Sequence, residues 1–92
     1  MMERDEEEQA LATVTMRYFA HARAPAGCAE EALTLPDRVD ADAVRALLRS
    51  RHPALAPVLA CCRIAHNLDF MDGVVTLVDG DELAVIPPVS GG

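Results

Sequence analysis

Aromatic residues are scarce in this sequence. It has no tryptophan, one tyrosine and two phenylalanines in 92 residues. Any core it forms is therefore built from Val, Leu, Ile, Ala and Met. No apolar run approaches the roughly 18 residues that a membrane-spanning helix requires, so no membrane association is expected. Cysteine usage excludes two further classes. Cys28, Cys61 and Cys62 are odd in number, two are adjacent, and no C-x-x-C pair is present, which fits neither a disulfide framework nor a zinc site. Cys61 and Cys62 are expected to be small, buried, reduced side chains near a strand start. Basic residues are few: 8 Lys plus Arg stand against 15 Asp plus Glu, for a net charge of −7. A surface of that sign repels phosphate backbones, so no nucleic-acid partner is expected and a basic protein partner or a cationic cleft suits it better. Glycine-rich phosphate loops, nucleophile–base pairs and metal-ligand clusters are also missing. His21, His52 and His66 are scattered over three segments and read as structural; His66 falls on an inward face, where an imidazole needs a hydrogen-bond partner. The chain has no active site of its own to offer.

The residues that are present divide into a leader, one small domain and a tail, with boundaries expected at 1–11, 12–86 and 87–92. Residues 1 to 9 hold five acids and one base, too much charge to bury anything, and read as a solvated leader. An acidic start is unlike the basic start of a signal peptide, so a cytoplasmic protein is expected. Ala12 to Ala20 alternates with the period of a half-buried strand, Val14, Met16 and Tyr18 on one face and Thr15, Arg17 and Phe19 on the other. Pro25 and Gly27 mark a loop. Glu30 to Pro36 reads as a second strand with Leu33 and Leu35 inward. A helix follows, capped by Asp40 and aided by Asp42, with Ala41, Val44, Leu47, Leu48 and Arg51 along one face and His52-Pro53 as its stop. The next connection carries Pro53 and Pro57 and room for one helical turn at Leu55 to Leu59. Cys61 to Asn67 is a third strand, residues 69 to 78 a short fourth, Asp79-Gly80-Asp81 a turn, and Glu82 to Ile86 a last strand with Leu83 and Val85 inward and Ala84 and Ile86 outward. One helix across a mixed sheet of four to five strands is the economical way to bury these faces, an α+β, ubiquitin-like β-grasp.

Two features point to function. Strand phase places Phe19 and Ile86 side by side on the face away from the helix, with Phe70 near them, and such a cluster reads as a docking patch. The last residues then form a tail. Pro87 and Pro88 fix φ, lack amide donors and favour a stiff extended spacer; Val89 and Ser90 add reach; Gly91 and Gly92 have no side chain and fit a narrow channel. The distinctive group there is the α-carboxylate of Gly92, inert until adenylation by ATP makes it a mixed anhydride.

The stretch DGDELAVIPPVSGG, Asp79 to Gly92, resembles the MoaD/ThiS family of sulfur carriers, in its molybdopterin synthase branch. TMRYFAHAR and DADAVRALLRSRHPAL match the family's opening strand and helix, and RIAHN with Asn67 the strand before its penultimate turn, so the resemblance covers roughly Thr13 to Gly92. It implies that Gly92 is adenylated by a ubiquitin-activating-like adenylyltransferase and loaded by a sulfur donor protein as a thiocarboxylate. That group would be threaded by Pro87, Pro88, Val89, Ser90 and Gly91 into a large synthase subunit, two of each subunit forming a heterotetramer. Sulfur would pass to cyclic pyranopterin monophosphate to make the dithiolene of the molybdenum cofactor. Phe19, Phe70 and Ile86 match the family's contact positions, and no cofactor or metal is implied on the carrier itself. The acidic leader is extra, and His66 stands where the family usually has a small aliphatic residue. A carrier of another pathway (thiamin-type), a ubiquitin-like protein modifier and a plain interaction module are the alternatives.

Overall fold

The structure is a computed structural model and describes residues 10–88. Residues 1–9 of the acidic leader, and Val89, Ser90, Gly91 and Gly92 of the tail, lie outside the described residues. Alternation dictates the first strand. β1, Leu11–Tyr18, switches between outward and buried side chains along its length, burying Ala12, Val14, Met16 and Tyr18. β2, Glu30–Pro36, runs antiparallel beside it, from Leu11 opposite Pro36 to Arg17 opposite Glu30, and buries Leu33 and Leu35. The strand ends at Pro36, which has no amide to donate.

The segment between these strands departs from the loop its breakers suggest. Ala20–Ala22 forms a 3-10 turn and α1, Arg23–Ala26, a single α-helical turn. Pro25 is tolerated because the first turn of a helix uses no amide there. Gly27 closes it at φ 79°, in the left-handed region that glycine enters freely, with its N–H donating to the carbonyls of Arg23 and Ala24 at 2.9 and 3.1 Å. Burial of Ala22 and Ala26 fastens the segment to the core.

β3, Arg38–Val39, leads into the main helix α2, Ala41–Arg51. Asp40 caps it, its Oδ1 accepting from the Ala43 N–H at 2.9 Å, and Asp42 in the first turn and Arg49 and Arg51 in the last complement the helix dipole. Val44 and Leu48 are buried against the sheet, whereas Leu47 lies at the margin with 36% of its surface exposed. A 3-10 turn at Pro53–Leu55 and α3, Ala56–Leu59, bury Leu55 and Leu59. Of the vicinal cysteines, Cys62 is buried but Cys61 is exposed, because Cys61 sits in the turn after α3 rather than in a strand.

β4, Arg63–His66, β5, Asp69–Phe70, and β7, Glu82–Ile86, complete a five-stranded sheet in the order β2-β1-β7-β4-β5, with β1 and β7 parallel and the other pairs antiparallel. β6, Val75–Thr76, does not join it; it pairs with β3 in a separate two-stranded ribbon. The last strand thus lies at the centre beside the first, with α2 across one face, which is a β-grasp. Met16, Leu48, Leu55, Leu59, Leu83 and Val85 have no exposed surface, and burying each side chain of this size contributes about 1.5–3 kcal/mol.

The core's one ring brings a polar network with it. The buried Tyr18 hydroxyl donates to Glu31 Oε2 at 2.6 Å, His52 Nε2 lies 2.6 Å from the same oxygen, and Arg51 Nε donates to Glu31 Oε1 at 3.1 Å. Burial alone would raise the Glu31 carboxyl, but the hydrogen bonds from Tyr18, His52 and Arg51 outweigh it and hold Glu31 below its ordinary range. Burial, then the Glu31 carboxylate, pushes the Tyr18 phenol upward. A carboxyl with a lowered folded pKa contributes stability that is fully present above its unfolded value and is lost as pH falls through the folded one. The thermal midpoint should therefore hold above the ordinary glutamate range and drop as pH falls below it. Glu31→Gln should start from a lower midpoint at neutral pH and lose less on acidification. Parallel acid profiles for the two proteins would show that the network contributes nothing.

Candidate functional site

The start of β7 is fixed by the turn before it. Gly80 adopts φ 94°, open to glycine and costly for other residues. Its N–H donates to the Thr13 carbonyl at 2.9 Å, the Thr13 N–H donates to Asp79 Oδ1 at 2.8 Å, and the Thr15 N–H donates to the Asp81 carbonyl at 2.9 Å. Asp81 Oδ2 accepts from the Val78 N–H at 3.1 Å and lies 2.8 Å from His66 Nε2. The unusual His66 thus has its partner, from a carboxylate 15 residues away. The His66 hydrogen bond, with that from the Val78 amide, holds the Asp81 carboxyl below its usual value. On the far side of β7, Asn67 gives its N–H to the Glu82 carbonyl and takes the Glu82 N–H on Oδ1, both at 2.8 Å.

This stitching sets the registers that build the outer face. Arg17 on β1 pairs with Ala84 on β7, Ala84 with Ala65 on β4, and Ala65 with Phe70 on β5, one row across four strands. In the next row Ile86 pairs with Arg63. Phe19 extends the β1 side, its N–H donating to the Val85 carbonyl at 3.3 Å. Two alanines in mid-row leave the sheet low there, and larger side chains stand around them. The result is an apolar hollow of about 190 Å³ lined by Phe19, Leu68, Phe70 and Ile86 around Ala65 and Ala84, with Arg17 and Glu82 along one wall. That wall is held by Arg17 Nη1 donating to Glu82 Oε2 at 2.7 Å. The Arg63 guanidinium carbon stands 3.7 Å from the centre of the Phe70 ring, a cation–π contact that fixes the ring on the surface. Ala65, on the outward phase, is nevertheless buried, and it is covered by this rim rather than by the helix side.

The structure therefore brings Phe19, Phe70 and Ile86 together, as strand phase anticipates. Phe19 is 37% and Phe70 48% exposed. The chain leaves the sheet beside them. Pro87 continues the inward phase of Leu83 and Val85 and is buried, and Pro88 is exposed. Gly92, with Val89, Ser90 and Gly91, lies outside the described residues. Leu68, Arg63 and the alanine floor are contributions that sequence reasoning missed. The β4–β5 hairpin that aligns them has only two residues in its second strand, too few to show a period. Among the described residues no group of three or more His, Cys, Asp or Glu side chains is placed to hold a metal ion, and no helix is long and apolar enough to cross a membrane.

A hollow beside a C-terminal strand at the centre of a β-grasp sheet is the geometry in hand, and comparison with known proteins gives its family. Residues 16–92 match the model of the ThiS family. The chain belongs to the ThiS family. It is 37% identical over 81 residues to the molybdopterin synthase sulfur carrier subunit of Chlamydomonas reinhardtii, spanning 86% of this chain and 98% of that one. Among solved structures, it superposes on a Helicobacter pylori complex of subunits 1 and 2 of molybdopterin-converting factor with TM-score 0.60 and 29% identity, over 87% of this chain and 99% of that one. The small archaeal modifier protein 1 of Haloferax volcanii is similar too, with TM-score 0.69 and 26% identity over 85% of this chain and 99% of that one. The ThiS match reaches Gly92 at one end. At the other it begins inside β1, so the acidic residues 1–9 fall outside it.

Proposed function

We propose that this ThiS-family chain is the sulfur carrier subunit of a molybdopterin synthase. The observation that carries the proposal is its identity across nearly the whole length of a relative that bears that name. On this reading the carboxylate of Gly92 is adenylated, with ATP, by a ubiquitin-activating-like adenylyltransferase. Sulfide released by a donor protein then attacks the carbonyl carbon and displaces AMP, leaving a thiocarboxylate. The stiff Pro87-Pro88 segment and the slim Val89-Ser90-Gly91 stretch thread that group into the large subunit, and Phe19, Phe70 and Ile86 dock the sheet face beside the entrance. Sulfur passes to cyclic pyranopterin monophosphate, building the dithiolene of the molybdenum cofactor. The assembly is a heterotetramer with two copies of each subunit, acting in the cytoplasm. The carrier contributes binding, reach and one reactive group, and it holds no cofactor or metal of its own.

The test is intact-mass spectrometry after incubation with the activating enzyme, ATP and a sulfur donor. The reading expects a gain equal to the difference between a sulfur and an oxygen atom, located on the C-terminal peptide. The similarity to a small archaeal modifier protein favours a second reading, a protein conjugated through its C-terminus. Isopeptide adducts between Gly92 and lysines of other proteins, without thiocarboxylate, would select it instead.

A further inference from the structure

Among the described residues, three that are not glycine have positive φ: Ala20 at 52°, Asn67 at 49° and Leu68 at 77°. All three adjoin the apolar hollow. Ala20 directly follows Phe19, and Asn67 and Leu68 are the two-residue turn between β4 and β5. Asn67 has a local reason for its conformation, since asparagine tolerates the left-handed region and its side chain holds the Glu82 N–H. Leu68 has none. A tight hairpin with two left-handed residues favours glycine at this position, and leucine is strained there. Packing does not compensate, because Leu68 is 90% exposed. The free chain thus carries a strained and solvated leucine at the rim of its proposed docking face, and strain held at such a place points to use in a complex.

We infer that Leu68 is a docking anchor that inserts into an apolar depression on the large subunit of molybdopterin synthase, next to the contact made by Phe19, Phe70 and Ile86. The inference rests on the functional reading above and extends it to a residue that reading did not use. Continuity selects the occupant. Leu68 lines the same hollow as Phe19, Phe70 and Ile86, and the tail leaves the sheet beside that hollow. A protein that receives the tail beside this hollow would also meet Leu68, and in the Helicobacter pylori structure subunit 1 is in complex with subunit 2. The exposed Asp69 and Asp72 follow Leu68 in sequence, so the depression should have a basic rim, matching the excess negative charge of this chain.

The experiment compares the full chain with Leu68→Gly and Phe70→Asp, measuring thermal midpoint and affinity for the purified large subunit by calorimetry. Leu68→Gly should keep or raise the midpoint, because glycine relieves the strain, and should weaken binding about tenfold or more through loss of one buried anchor. Greater stability together with weaker binding is the signature of a residue kept for its partner. If Leu68→Gly binds as well as the natural chain while Phe70→Asp does not, the inference falls and the docking face stands. If Leu68→Gly melts several degrees lower, the leucine supports the fold and the inference falls. If neither substitution changes affinity, the docking reading falls and takes the inference with it.

Discussion

Removing Gly92 should abolish sulfur transfer while leaving the folded domain and its docking untouched. The truncated chain still ends in a glycine carboxylate of the same chemistry, now on Gly91, but its reach is shorter by about 3.5 Å of extended backbone. A misplacement of about 1 Å can already cost about 100-fold in rate, so a shift of this size should reduce dithiolene formation by at least that factor. Stability should not change, because β7 ends at Ile86 and the buried Pro87 is the last inward residue described. Gly91→Ala separates length from width. It restores the reach and adds one methyl group, and if the channel is as narrow as two consecutive glycines imply, transfer should fall again with the midpoint unchanged. The assays are thermal melting, large-subunit binding and pterin dithiolene formation on the three proteins. Near-normal dithiolene formation by the truncated chain would show that the terminal carboxylate does not carry the sulfur.

The second large effect is expected from Phe19→Asp. Phe19 stands on the rim of the hollow, and its backbone N–H completes the β1–β7 ladder through the Val85 carbonyl. Substitution leaves that hydrogen bond in place and removes a side chain already over a third exposed, so the fold should survive with a midpoint within a few degrees of the natural protein. In the complex the new carboxylate would be desolvated against apolar surface without a partner, at a cost of about 3–5 kcal/mol or more. Binding to the large subunit, and to the activating enzyme if it uses the same face, should weaken at least about 100-fold. Calorimetric titration reads the affinity and circular dichroism the fold. Unfolding would mean that Phe19 faces the core; intact binding would mean that this face is not the contact.

Much of this was legible because parity is a strong code in long strands. Eight residues of alternation in β1 and five in β7 suffice to place Phe19 and Ile86 on one face. Asp40 announces its helix because a side-chain acceptor there satisfies an otherwise unpaired N–H. The rest depended on contacts that leave no local trace. The single short strand expected over residues 69 to 78 is two, β5 and β6, each two residues long and paired in a different sheet, and segments that short show no period that would separate them. Pro25 and Gly27 mark a break in strand structure without saying that the chain coils helically between the breaks. Burial habits of cysteine place Cys61 inside, yet it falls in the turn two residues before β4 begins. The partners of His66 and His52 are Asp81 and Glu31, 15 and 21 residues away, brought near only by the sheet. Leu68 was hidden for a related reason. Asn-Leu is a poor turn sequence, and its position at a hairpin tip is a property of the assembled sheet.

A single-turnover reaction separates sulfur delivered from this chain's own C-terminus from sulfur of any other origin. Thiocarboxylated chain would be mixed with the large subunit and cyclic pyranopterin monophosphate, without activating enzyme, ATP or any other sulfur source. Products would be followed by intact mass on the protein and by dithiolene content of the pterin. Two chains should return to the plain Gly92 carboxylate for each dithiolene formed, one for each of its two sulfur atoms, and no dithiolene should appear with the unloaded chain. A thiocarboxylate that persists unchanged, or dithiolene that forms equally well from the unloaded chain, would contradict delivery of sulfur from this C-terminus.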